Sequence, residues 1–147
     1  MTTTRASLAL LILRFVVGAS FIMHGIPKLA HPMSWDGEHG PVPGVPGWLQ
    51  LIIVLAETLG GWCLIFGFLT PLFAFLQVCD MFVVTFIVQM IGRGLPFVGA
   101  GGRSFEVEAH LLAGSLVILL CGPGIYSIDV ALTKLISSRK STAALGV

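Results

Sequence analysis

The chain has 147 residues, 56% hydrophobic and 10% charged, with a net charge of +1 and a mean hydropathy of +0.98. Soluble domains carry roughly a quarter charged residues, so this composition excludes an ordinary soluble enzyme. The near-neutral charge gives no basis for nucleic-acid binding, and the length leaves room for one helical membrane unit but no separate soluble catalytic domain.

Four apolar stretches, residues 8–29, 48–67, 71–91 and 105–121, are each about long enough to cross a hydrocarbon core as a helix. Arg5 precedes the first, as in a signal peptide, but Arg14 interrupts the run and no clean cleavage site follows. The segment is therefore expected to stay as a helix, ending near His24, Pro27 and Lys28. Residues 31–47 are rich in Pro and Gly and read as a loop with a stiff VPGVPG connector. Trp35 and Trp48 flank it like members of an interfacial aromatic belt.

Only residues 68–71 join the second and third stretches, which forces those helices to be antiparallel neighbours. Thr70-Pro71 suits a helix start. Gly60, Gly61 and Gly67 allow close backbone approach. Cys63, Cys79 and Cys121 form no C-x-x-C pair and read as small buried hydrophobes. Residues 92–104, with Arg93 and Arg103 around a GAGG run, read as a flexible connector or a loop that cradles an anion.

Gly122-Pro123-Gly124 stops the fourth stretch. Ser127 can then cap a helix over about 127–138, with Asp129 in its first turn. Ile128, Ala131, Leu132, Leu135 and Ile136 recur at helical spacing, and Lys134, Arg139 and Lys140 follow, as in a helix lying on a membrane surface. Residues 141–147 read as a frayed end. The expected fold is all-α: one membrane domain over 1–147, a transmembrane four-helix bundle running up-down-up-down, with a C-terminal amphipathic interfacial helix. Arg5, Lys134, Arg139 and Lys140 place both termini on the cytoplasmic side of an inner (plasma) membrane, although Lys28, Arg93 and Arg103 border the opposite face.

Ionisable residues at membrane depth are costly and usually face a bundle interior. Counting about 1.5 Å per residue from the span boundaries puts Arg14, Glu57 and Asp80 near one another. Arg14 is expected to pair with Glu57 or Asp80, either as a staple fixing helix register or as part of a site. One arginine cannot neutralise two carboxylates, and a carboxyl group that exchanges protons inside a membrane is what proton-coupled or quinone chemistry requires. Nearer the outer face lie His24 and Lys28 from the first span and Glu106, Glu108 and His110 from the fourth. Glu106 and Lys28 read as solvated helix ends; Glu108 and His110 are candidates for proton exchange. His24 and His110, on different helices, could instead hold a haem iron between them or simply be hydrogen-bonded.

The runs LRFVVGASFIMHGIPKL, AETLGGWCLIFGFLTP, FEVEAHLLAG and CGPGIYSIDVAL together resemble the DoxX family of small four-span membrane proteins. The matching residues are Arg14, Gly18, His24-Gly25, Lys28, Glu57, Gly60-Gly61, Gly67, Glu108, Gly122-Pro123-Gly124, Ser127 and Asp129, covering residues 8–132. Asp80 departs from the family's third span. The resemblance implies a membrane protein linked, in some members, to redox work with quinones. Fold analogy assigns no reaction.

Three functions compete. The chain is expected to be a subunit of a quinone-linked redox complex, with Glu57, Asp80, Glu108 and His110 exchanging protons and Arg14 setting their charge, while partner subunits supply electrons. Alternatively it is a non-catalytic structural or assembly subunit beside larger membrane partners, or an oligomeric carrier of protons or small molecules.

Overall fold

The computed structural model describes residues 4–35, 45–99 and 102–144, with side chains as far as residue 138. Helix α1 (Thr4–Gly25) runs into a 3-10 turn (Ile26–Ala30), and α2 is Gly47–Phe66. Helix α3 (Thr70–Phe82) continues without a break into a π-helix (Val83–Gly92), followed by α4 (Glu106–Cys121) and α5 (Ile128–Ala144). No strand occurs among the described residues. The 42–47 connector, the GAGG run and the 141–147 tail lie partly or wholly outside them, as do the side chains of Arg139 and Lys140.

Helix α1 packs on α2, α2 on α3, α3 on α4 and α4 on α1, which closes a four-helix ring. Backbone contacts set the direction of travel. The amide of Ile125 donates to Ser7 Oγ, and that of Asp129 donates to Gly67 O. The start of α1, the α2–α3 turn and the α4–α5 turn therefore share one end of the bundle. The bundle runs up-down-up-down, as the short 68–71 connection required.

Among the described residues, three segments are long and apolar enough to cross a membrane: Thr4–Ala30, Gly47–Phe66 and Thr70–Gly92. Helix α4, with 16 residues, spans about 24 Å. It is shorter than α1, α2 and the continuous Thr70–Gly92 unit, and packs against α1 and α3. The outer faces carry the apolar side chains expected against lipid, among them Phe15, Leu59, Leu72, Ile87 and Leu120. Inside, Val17, Phe21, Leu64, Ala74, Met81, Leu111 and Ile118 form the core.

Lipid tails are as apolar as these side chains, so helix association rests on close packing rather than on escape from water. Gly18 and Gly61 supply it. A Cβ on Gly18 would lie 2.5 Å from the Gly61 carbonyl oxygen, and a Cβ on Gly61 would lie 2.6 Å from that of Gly18. The two backbones meet there, and this contact fixes the register of α1 against α2.

The cysteines are free thiols rather than core packing. Cys63 is half-buried, and Cys79 and Cys121 are exposed on the bundle surface. Ser127 caps α5 as the sequence suggested: its hydroxyl accepts from the Val130 amide and donates to Gly124 O. Helix α5 runs to Ala144, beyond the expected end near 138, and leaves residues 131–138 exposed.

Candidate functional site

The interior charged residues fall into two groups toward opposite ends of the bundle. At the end that holds the start of α1 and the α4–α5 turn, Arg14 is fully buried and its Nη2 donates to the Tyr126 carbonyl at 2.6 Å. Asp129 is its charged neighbour. The same carboxylate accepts from the amides of Leu69 at 2.8 Å and Thr70 at 2.9 Å, which caps α3. Arg14 thus secures the α4–α5 turn, and the expected pairing with Glu57 or Asp80 does not form. Gly67 in this region has φ +68, and a side chain there would run into the Arg14 guanidinium and Ser127.

Glu57 pairs with Lys28 instead. The ammonium donates to both carboxylate oxygens at 2.6 Å. Lys28 was expected to be a solvated helix end, yet its side chain is only 22% exposed and that of Glu57 only 3%. The 3-10 turn folds the chain back after Gly25, which lies directly against Thr58 and Glu57. Trp35 covers the ammonium, whose nitrogen sits 4.4 Å from a ring centroid, a cation–π contact. The indole N–H of Trp35 donates to Gln50 O at 3.2 Å, which fixes the ring.

Asp80 belongs to the same end. Its charged neighbours are Glu57 and Lys28, and its Oδ2 is buried without a hydrogen-bond partner. Gln77, one turn earlier on α3, is buried with both amide atoms unpartnered. Next, the π-helix brings Gln89 inward. Its amide nitrogen donates to Glu108 Oε1 at 2.9 Å, and its Oε1 accepts from Arg93 Nη1 at 3.0 Å. Glu108 Oε2 is buried and unpartnered. Short π segments inside α-helices occur frequently at functional sites.

These groups line a chamber. A cavity of about 260 Å³ is bordered by Lys28, Trp35, Glu57, Asp80, Gln89 and Arg93, with an otherwise apolar wall that includes Leu49, Ile53, Val84 and Val88. A second cavity of about 210 Å³ shares Lys28, Trp35, Glu57 and Val84, and extends to His24, Glu108 and Leu111. Small-molecule sites have this character: a mostly apolar lining with a few convergent polar groups.

Of the residues singled out from sequence, Glu57, Asp80, Glu108 and His24 border this chamber, while Arg14 and His110 do not line it. His110 is exposed; its Nδ1 lies 2.6 Å from Glu106 O and its ring stacks over Phe97. The 210 Å³ cavity bordered by His24 is not lined by His110. No cluster of three or more His, Cys, Asp or Glu able to hold a metal occurs among the described residues. Sequence reasoning missed Lys28, Gln89 and Trp35 as site residues. A glutamine inside an apolar span was the available signal for Gln89.

A ring of apolar helices with a charged chamber near one end defines an integral membrane protein of the helical-bundle class. Residues 9–90 match the DoxX family, and the chain belongs to that family. It is 27% identical over 124 residues to the inner membrane protein YqjF of Escherichia coli, covering 84% of this chain and 92% of that one. It is 34% identical over 119 residues to an uncharacterized protein of Haemophilus influenzae, covering 80% and 85% respectively. No solved structure matches the chain at a significant level.

Proposed function

We propose that this protein is a plasma-membrane subunit of a quinone-linked redox complex, and that the Lys28–Glu57–Asp80–Glu108 chamber receives the quinone head. One observation carries this reading. Two acidic side chains, Asp80 and Glu108, each present a buried, unpartnered oxygen at the edge of an apolar chamber already holding an ion pair. Buried polar atoms normally have partners, so these oxygens are suited to a ligand that donates or accepts hydrogen bonds.

A bound quinone supplies a two-electron, two-proton couple, with the electrons coming from a partner redox subunit. The chain's own residues handle binding and protons. Lys28 holds the Glu57 carboxylate in place, and Trp35 shields that pair. Asp80 and Glu108 hold and release protons at Oδ2 and Oε2. Gln89 ties Glu108 to the π-helix and so fixes where its second oxygen points. Arg14 acts at the other end of the bundle and positions the α4–α5 turn.

The test is quinone turnover by the assembled complex. Glu57→Gln and Asp80→Asn should lower it while the complex stays intact; unchanged turnover in both would remove the reading. Titration with tetramethyl-benzoquinone should quench Trp35 fluorescence in a Trp48→Phe/Trp62→Phe background, and the quench should weaken in Asp80→Asn.

A second reading, a structural or assembly subunit, is favoured by α5. Its residues 131–138 are exposed throughout and include Leu132, Leu135 and Ile136. Purification in mild detergent separates the two: a retained quinone supports the first, and stable partners without a redox ligand support the second. The inner-membrane relative and the basic residues Arg5, Lys134, Arg139 and Lys140 support a plasma-membrane location with both termini cytoplasmic. Reporter fusions at both termini test that orientation.

A further inference from the structure

Beside the chamber, between α2 and α3, lies a further cavity of about 270 Å³ whose wall is almost wholly apolar. It shares Leu49, Ile53, Asp80 and Val83 with the charged chamber. Its far side reaches Ile52 and Cys79, which are exposed on the face that meets lipid. The two spaces therefore adjoin through one shared wall, with Asp80 at the junction. One side reaches the lipid-facing surface and is almost wholly apolar; the other is less open and carries the charged groups on a mainly apolar wall.

From this arrangement we infer a bipartite site for a lipid-dissolved amphiphile. A hydrogen-bonding head occupies the Lys28–Glu57–Asp80 chamber, and an apolar tail lies in the α2–α3 groove and passes sideways into the bilayer past Cys79. The inference rests on the quinone reading for the identity of the head, and adds the tail and its route.

The physical reason lies in the tail. A long apolar chain already dissolved in lipid gains nothing from burial in protein, but leaving lipid for water is costly. A ligand of this kind needs a path that never exposes its tail to water. The groove supplies one, and the head meets the polar wall only on passing Asp80. A small water-soluble ligand would have no use for a groove that opens on the lipid face. A bare lipid chain would have no use for Asp80 and the Lys28–Glu57 pair.

Cys79 makes the groove measurable. With Cys63→Ser and Cys121→Ser, it is the sole thiol of the chain. Purified protein in detergent is treated with N-ethylmaleimide alone, with a fully substituted decyl-benzoquinone, with tetramethyl-benzoquinone, or with decanol; full ring substitution prevents the quinones from alkylating the thiol. The decyl-quinone should slow alkylation of Cys79 about tenfold at roughly ten times its Kd. Tetramethyl-benzoquinone should quench Trp35 without protecting Cys79. Decanol should protect only at much higher concentration, and Leu76→Trp, which fills the groove, should abolish protection by the decyl-quinone.

Equal protection by decanol and the decyl-quinone would mean that the groove holds ordinary lipid chains, and would overturn the inference. A Trp35 quench by both quinones without protection of Cys79 would overturn the lateral route and leave the proposed function standing. No quench and no protection by either quinone would overturn both.

Discussion

The Lys28 ammonium donates to both oxygens of Glu57 at 2.6 Å, across the junction of α1 and α2. Glu57 is nearly fully buried while Lys28 keeps 22% of its side chain exposed, so the two partners are not equivalent. Removing the lysine strands a carboxylate inside the bundle. Neutralising the glutamate leaves an ammonium with partial access to solvent.

Lys28→Met should therefore destabilise the protein more than Glu57→Gln does. Removing one partner of a buried pair costs about 3–5 kcal/mol, and the lower end applies because Lys28 is partly exposed. The Lys28→Met/Glu57→Gln double variant should recover much of that loss. Equilibrium unfolding in mixed micelles reads these differences, and additive losses in the double variant would show that the pair is not coupled.

Gly18 and Gly61 yield a second prediction. Each would place a Cβ within 2.6 Å of the other's backbone oxygen, and neither backbone can swing aside. Gly18→Ala should separate α1 from α2 at a cost of about 1–3 kcal/mol. It should also shift Lys28 relative to Glu57 and so weaken ligand-dependent quenching of Trp35. Gly102→Ala is the control. Its Cβ would meet nothing within 4 Å, so its loss should be far smaller. Equal losses would show that backbone approach at Gly18 does not set the register.

That register explains what the sequence concealed. Apolar length and the 122–124 stop were enough to place the helices, and the short 68–71 connection was enough to give their direction. Depth counting from span edges, however, assumed that α1 and α2 start and end at matching levels. The Gly18–Gly61 contact instead sets Gly25 beside Glu57 and Thr58, and brings Arg14 level with Gly67. Arg14 is thereby carried away from Glu57, and Lys28 takes its place. A glycine in an apolar run announces close approach, but nothing in one sequence says which glycine it will meet. The π-helix was hidden for a similar reason: residues 83–92 read as a continuous apolar span, and the wider turn emerges only from packing.

Gln89 bridges Arg93, just past the end of the π-helix, and Glu108 on α4. Gln89→Leu keeps the bulk and removes both bonds, leaving Glu108 Oε1 as unpartnered as Oε2 already is. Unsatisfied buried groups cost about 1–3 kcal/mol each, more when charged. Stability should fall by about that amount, and Gln89→Glu should fall further because it sets a second carboxylate against Glu108. A stability of Gln89→Leu equal to that of the parent would show that the bridge adds nothing to the α3–α4 contact.

Asp129 closes the opposite end, where its two oxygens accept from the amides of Leu69 and Thr70. Leu69 sits at φ 48, in the left-handed region that side chains avoid, at a cost of about 1–2 kcal/mol relative to the right-handed one. The cap supports that conformation, so its loss and the strain should be coupled. Asp129→Ala should cost about 0.5–2 kcal/mol, the usual range for a helix cap, and should speed amide exchange at Leu69 and Thr70. Leu69→Gly removes the strain and should offset much of the Asp129→Ala loss when the two are combined. Because Asp129 also neighbours Arg14, Asp129→Asn should keep part of the cap yet still loosen the α4–α5 turn, seen as faster exchange at the amides of Ile125 and Val130. Unchanged exchange at Leu69 and Thr70 in Asp129→Ala would show that the turn holds without its carboxylate.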